Sequence, residues 1–180
     1  MIKNQVFIGI FFLLLLNSWG NTCKIEFFLL KEEVKAVDSN TSLVNAFHIE
    51  KEGLESLPFI TDDEILSFRI KKDTFDSKII EYHIFEVLEN VAKRINDLNI
   101  SLSEGRQFAL LVNGNIVYTG YFWNLRSSFV CKHITAIAFW NQILIERMLP
   151  DFGFENEETD NRKNPILFDC LKATNRFIEE

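Results

Sequence analysis

QFALLVNGNIVYTGYFW, residues Gln107 to Trp123, is the stretch that decides the fold. Two apolar arms flank Asn113-Gly114. Asn-Gly is the strongest short hairpin signal, because a two-residue type I′ turn needs positive φ at both positions. Alternation puts Phe108, Leu110 and Val112 on one face of the first arm, with Ala109 and Leu111 on the other. On the second arm it groups Ile116, Tyr118 and Phe122 against Val117, Tyr121 and Trp123. Both faces are apolar, which predicts a hairpin in mid-sheet, covered on both sides. Gly120, inside a strand, predicts a bulge or the close approach of another backbone.

Outward from the hairpin, Lys24 to Leu30 is β-rich and bounded by charge, and reads as a first strand. Lys31 to Pro58 is mixed and polar, a long loop with a minor strand around Val44, Phe47 and Ile49. Thr61 caps a helical turn whose acids, Asp62, Asp63 and Glu64, sit at its positive end. Leu66, Phe68 and Ile70 alternate with Ser67, Arg69 and Lys71 as a half-buried strand. Asp73 to Ile80 fits a strand or the start of a helix. Ile84, Leu88, Val91, Ile95 and Leu98 step by three and four, which predicts a helix over Tyr82–Leu98 covering one sheet face. His133–Phe139 and Ile143–Met148 read as strands. Asp151–Arg162 is an acidic loop. Asn164-Pro165 opens a last helix, with Ile166, Leu167, Cys170 and Leu171 as its buried stripe and Asn175 as C-cap. The fold class is α+β: a mostly antiparallel sheet with a central hairpin and two packed helices.

Composition agrees. The 180 residues are 47% hydrophobic and 25% charged, with 18 Phe, which predicts an aromatic packed core and excludes disorder. The net charge is −7, and the densest basic cluster, Arg69-Ile70-Lys71-Lys72, fits a solvated strand edge, so nucleic acid is not an expected partner. Lys3, the apolar run Val6–Leu16 and the small residues Ser18 and Gly20 make a secretory signal peptide of residues 1–20. Residues 21–180 then form a single α+β domain, exported to the periplasm or secreted from a bacterial cell. Asn40 and Asn99 lie in glycosylation sequons, which matter only in a eukaryotic source.

The three cysteines meet an oxidising compartment, so one disulfide and one remaining thiol are expected. Cys170 falls on the apolar stripe of its helix, where a free cysteine packs well. Cys23 and Cys131 each open a strand, so the expected bridge is Cys23–Cys131. Cys23 is also a candidate for lipid attachment, which would anchor the chain to the envelope, though Gly20-Asn21-Thr22 departs from the lipoprotein pattern.

Few residues suggest chemistry. His48, His83 and His133 share no metal-ligand spacing and no CxxC pair occurs, so no metal is expected. The seven glycines form no phosphate-binding loop, so no nucleotide cofactor is expected. Asp151 to Asp160 lacks the regular spacing of a calcium loop. Ser127, Ser128, Cys131 and His133 bring nucleophile and base types together without a nucleophile-elbow motif; a small secreted hydrolase using Ser128 or His133 is the alternative function. Tyr118, Tyr121, Trp123 and Arg126 are either core filling or an exposed recognition edge, since Tyr, Trp and Arg dominate interface hot spots.

Two motifs carry a resemblance. Phe59-Ile60-Thr61-Asp62-Asp63-Glu64-Ile65, followed by a strand, a helix and the hairpin Phe108 to Val117, resembles the periplasmic head subdomain of SecD-type protein-export subunits. The similarity covers residues 59–139. It implies a non-catalytic α+β module outside the cytoplasmic membrane. The expected function is an exported binding or interaction module of the bacterial cell envelope, with an unknown protein or peptide partner.

Overall fold

Asn113 and Gly114 adopt φ of 50° and 72°, the left-handed pair that a type I′ turn requires. They join β4 (Arg106–Val112) to β5 (Asn115–Phe122). Asn113 also aligns the strand beside β4. Its Oδ1 accepts from the Lys24 N–H at 2.9 Å, and its own N–H donates to the Lys24 carbonyl at 2.8 Å. The computed structural model describes residues 23–35, 47–75, 78–129, 131, 133–147 and 160–179. The expected signal peptide, the Asn40 sequon, Val44, Met148 and the acidic run from Asp151 to Glu158 lie outside the described residues.

The remaining strands are β1 (Ile25–Leu29), β2 (Ile65–Phe75), β3 (Lys78–Val87), β6 (Ile134–Phe139), β7 (Gln142–Arg147) and β8 (Phe177–Ile178). Together they make one sheet in the order β1-β4-β5-β6-β7-β3-β2-β8. The sheet is mixed rather than simply antiparallel: β5–β6 and β2–β8 run parallel, and the other five junctions are antiparallel. The β4–β5 hairpin is an interior pair but stands off centre, second and third in that order.

A bulge corrects the faces of the second arm. Leu110 pairs with Tyr118 but Leu111 pairs with Ile116, so Val117 is the extra residue. Ile116 therefore joins the face of Ala109 and Leu111, and Val117 joins that of Phe108 and Tyr118. Gly120 marks a close approach, as expected. A Cβ there would lie 2.7 Å from the Ile134 carbonyl oxygen and 2.9 Å from the Phe108 ring. A second two-residue turn, Trp140-Asn141, joins β6 to β7, with Phe139 opposite Gln142. Trp140 holds φ of 56°, is 79% exposed and stacks on Phe139 at 5.5 Å.

Helices α1 (Glu89–Asn96) and α2 (Pro165–Ala173) cover one face of the sheet. Val91, Ala92 and Ile95 from α1 and Leu167, Cys170 and Leu171 from α2 pack there with Phe27, Phe85, Phe108 and Phe122. The Phe108 and Phe122 rings lie 4.7 Å apart. The other face is covered by Leu30, Phe47 and Leu54 over Ala109, Leu111, Tyr121 and Trp123. Asn164 caps α2 as read from the sequence, accepting from the Ile166 N–H at 2.9 Å with Pro165 in the first turn. Asn175 follows in the left-handed conformation, φ 54°. Ile166 does not join the stripe; it is 52% exposed.

The helix expected over Tyr82–Leu98 is shorter. Residues up to Val87 belong to β3, and only Glu89–Asn96 are helical. His83, Phe85 and Val87 also alternate, and all three are buried. The ladder that β3 makes with β2 outweighs the helical spacing of Ile84 and Leu88. A register irregularity between Ile65 and Ser67 turns Leu66 outward, 50% exposed.

The disulfide is Cys23–Cys170, with Cα atoms 5.4 Å apart, and Cys131 is free and buried. The expected Cys23–Cys131 bridge fails because the sheet stands between them. Cys23 packs on the helix-covered face, where the α2 stripe also puts Cys170, whereas Cys131 belongs to the opposite face. Beside the bridge, Asp62 joins three segments. Its Oδ1 accepts from the Ile25 N–H at 2.7 Å and from Arg176 Nη2 at 2.8 Å.

Candidate functional site

Of the two readings of the aromatic cluster, core filling is the one its burial fits. Tyr118 is fully buried, Tyr121 and Trp123 are 8% and 6% exposed, and Arg126 alone of the four is exposed. β5 lies between β4 and β6, which pairs with it at Tyr121 and Phe122, and each face is covered. The residues of the hydrolase alternative are not assembled as activated nucleophiles. The Ser127 hydroxyl donates to the Leu102 carbonyl and accepts from the Phe129 N–H, and Ser128 is exposed. The His133 ring packs on Tyr121 at 5.8 Å. Burial pushes the Cys131 thiol up to about 11, and a neutral thiol is a poor nucleophile.

A more informative site lies where the sheet ends. β2 is eleven residues long, but β8 pairs with it only at Phe68 and Arg69. The Phe68 N–H donates to the Arg176 carbonyl at 2.7 Å. Since peptide groups alternate along a strand, those of Phe68, Ile70, Lys72 and Thr74 point away from β3. Beyond Arg69, no strand among the described residues pairs with this side of β2. The Lys72 peptide groups and the Thr74 carbonyl therefore form an open edge, while the Thr74 N–H donates to Asp73 Oδ1 at 2.9 Å.

Next to that edge is a cleft of 680 Å³. Ile70, Phe168, Phe177 and Ile178 form its apolar part, and Lys72, Glu81, Lys163 and Glu179 its charged part. Phe168 and Phe177 meet with ring centroids 5.7 Å apart. Glu81 gathers the charges: its carboxylate lies 3.7 Å from Lys72 Nζ and 3.5 Å from Lys163 Nζ, and 2.9 Å from His83 Nε2. The His83 hydrogen bond is the main force holding the Glu81 carboxyl well below the usual carboxylate range; burial opposes it, and Lys163 and Arg162 add their charge.

His83 is wholly buried, between Phe68 and Phe168. Burial pushes its pKa down, so the neutral ring donates from Nε2 to Glu81 and leaves Nδ1 buried without a partner. Behind it, Arg162 forks onto Asp160, with Nη2 to Oδ2 at 2.6 Å, and donates from Nη1 to the Glu81 carbonyl at 2.8 Å. Burial works to raise the Asp160 carboxyl, but the hydrogen bonds and charge of Arg162 outweigh it and leave it lowered. The pair bolts the 160–163 turn to β3. His83 has no solvent access for proton transfer to a substrate. The sequence signal for it was the alternation of Glu81, His83, Phe85 and Val87, which puts a polar pair on one face with buried apolar residues.

On the opposite sheet face is a smaller cavity of 450 Å³ that contains Cys131 and His133. Among the described residues, no His, Cys, Asp and Glu cluster fits a metal ion, and no helix is long and apolar enough to cross a membrane.

Among solved structures, the chain is similar to SecDF in its super-membrane-facing form, with a TM-score of 0.45 and 16% identity over 86% of this chain and 19% of that one. It is also similar to SecDF described as a membrane component that enhances protein export, with a TM-score of 0.42 and 16% identity over 71% of this chain and 56% of that one. Both are structures of the family that the Phe59–Ile65 and Phe108–Val117 motifs resemble. The chain spans about a fifth of the first and just over half of the second. No family model matches the chain, and no curated protein matches it.

Proposed function

We propose that this chain is an exported, non-catalytic binding module that takes an extended segment of a partner protein as an added strand along β2. The observation that carries this reading is the open edge of β2 at Lys72, beside an amphipathic cleft. In strand addition, main-chain hydrogen bonds supply affinity, and pockets for alternate side chains supply specificity. Here the edge offers the first. The apolar surface of Ile70, Phe168 and Phe177 offers the second, for an apolar side chain flanked by polar groups that reach Lys72 or Lys163.

Export is supported by the leader-like residues 1–20, followed by a domain from 21 to 180, and by the Cys23–Cys170 bridge, which needs an oxidising compartment. The bridge uses the Cys23 sulfur that a lipid thioether would need, so anchoring through that residue is not part of the proposal.

The test is selection of displayed random peptides on the disulfide-intact protein, followed by affinity measurement against Lys72→Pro. Proline removes the outward N–H without touching the β3 ladder. The expected result is an apolar-centred binder that loses about tenfold or more, the scale of one lost hydrogen bond in a dry interface. Binders that are indifferent to Lys72→Pro, or none at all, would refute the reading.

A further inference from the structure

One wall of the β2 cleft comes from a single stretch of chain. Ile70, Lys72 and Glu81 belong to the β2–β3 hairpin, whereas Lys163, Phe168, Phe177, Ile178 and Glu179 all lie within residues 160–179. That stretch has a short hold on the rest. Leu167 and Leu171 are buried, β8 pairs with β2 only at Phe68 and Arg69, and Arg162 reaches the Glu81 carbonyl. Its covalent hold is the Cys23–Cys170 bridge, and Cys170 shares α2 with Phe168. Cys23 stands just before β1, at the opposite end of the sheet order from β8. The bridge therefore ties one end of the sheet to the element that lines the cleft at the other. Arg176 reinforces the same junction through Asp62.

We infer that the Cys23–Cys170 bridge is a redox control on the β2 edge: the oxidised protein takes the added strand, and the reduced protein lets it go. The inference rests on the strand-addition reading. With the bridge closed, α2 is pinned beside β1, and Phe168 and Phe177 stand against the edge before a partner arrives. With the bridge open, the stretch is held by two leucines, a two-residue ladder and two arginines, and regions with few buried contacts open at low free energy. Undocking removes the apolar wall and also strips Phe168 and Phe177 from Phe68, which they touch at 5.9 and 5.7 Å between centroids. It frees the Phe68 N–H, but one main-chain hydrogen bond is worth less than two aromatic contact surfaces. Affinity then falls in proportion to the docked fraction. A dithiol supplies the electrons. One of its thiolates attacks a bridge sulfur, and the other cysteine leaves as a thiolate and takes a proton. The second thiol then displaces the first cysteine as the reductant closes its own disulfide, so two electrons and two protons reach the bridge. Coupling runs both ways: a bound strand makes the bridge harder to reduce by the factor that reduction weakens the strand.

The test uses the full protein in dithiothreitol redox buffers, below the unfolding midpoint of the reduced form. Amide hydrogen exchange is the first readout and needs no ligand. The apolar-centred peptide selected on the oxidised protein is the probe for the second. On reduction, the Phe68 amide and the α2 amides should exchange about tenfold faster or more, while Leu110 in β4 stays protected. The peptide should bind about fivefold weaker or more, the loss for a docked fraction of about one-fifth. Saturating peptide should raise the dithiothreitol ratio at half-reduction by the same factor. Equal affinity in the two redox states would overturn the inference and leave the strand-addition reading standing. Absence of any peptide binding to the oxidised protein would overturn both. Loss of Leu110 protection together with that of Phe68 would overturn the inference too, because the whole fold would then open instead of one wall of the cleft.

Discussion

Opening the Cys23–Cys170 bridge should cost this protein a large part of its stability. The two cysteines are 147 positions apart. In the chain-entropy model, closing a loop of that length removes about 17 cal/mol/K from the unfolded ensemble, or roughly 5 kcal/mol at room temperature. Whole domains are stable by about 5–15 kcal/mol, so the bridge supplies a third or more of the total. For a chain of this size each kcal/mol moves the midpoint by about 2–4 °C, so reduction should lower Tm by roughly 10–20 °C. Reduction is the cleaner perturbation, because Cys170 is 2% exposed and Cys170→Ala also removes a packed sulfur. The assay is urea unfolding of oxidised and phosphine-reduced protein, with thiols counted in the unfolded state. The oxidised chain should show one thiol, from Cys131, and the reduced chain all three. Cys131→Ala should keep the bridge and leave no thiol. Three thiols in the untreated protein, or coincident unfolding midpoints, would refute the reasoning.

Gly120→Ala should destabilise by about 1–3 kcal/mol or more, the usual cost of overpacking, because the added methyl meets a backbone carbonyl that cannot swing away; urea unfolding measures it, and an unchanged midpoint contradicts the close β5–β6 approach. Trp140→Asn should stabilise by about 0.5–1 kcal/mol, since the left-handed conformation is strained for a bulky side chain and tolerated by Asn; a loss of stability would mean that the stack on Phe139 outweighs the strain. Glu64 is lowered from the ordinary 4.5 to about 2, first by its hydrogen bond from Arg94, against burial, and further by Thr61. A folded-state pKa below the unfolded value gives stability that is present above about pH 4.5 and lost as pH falls toward 2. Urea unfolding across that window should show a shallower loss in Glu64→Gln than in the wild type, and equal slopes would rule the ion pair out as the cause.

The hairpin was legible because its information is local. Asn113-Gly114 admits one turn, and the alternation of Phe108 to Val112 admits one pair of faces. The caps at Thr61 and Asn164 were legible for the same reason. Where two periodicities overlapped, local reading failed: Ile84 and Leu88 continue the helical step of α1, while His83, Phe85 and Val87 keep the strand period, and only the partner strand β2 decides. The bulge at Val117 was illegible because a bulge is a property of two strands. The disulfide was misread because the faces of β1, α2 and the segment before β6 were compared without knowing the sheet order. The cleft beside β2 joins residues from β2, β3, β8, α2 and the 160–163 turn, and no spacing in the chain announces that meeting. The aromatic run from Tyr118 to Trp123 has a composition that fits core or surface, and the covering of both sheet faces is what decides for core.

The bridge between Cys23 and Cys170 also decides how the protein answers a pull. Tension applied through the backbone at residue 23 and at residue 170 would pass from one sulfur to the other, and the sheet between them would carry no load. Hydrogen bonds along β1 and β4 would not be sheared, and the clefts on both faces would keep their shape under traction. Only a hook placed inside the loop, for example in the turn at Asn113, would transmit force to the strands. An oxidised protein tethered at those two positions is therefore a rigid link, and the same protein reduced becomes an extensible one.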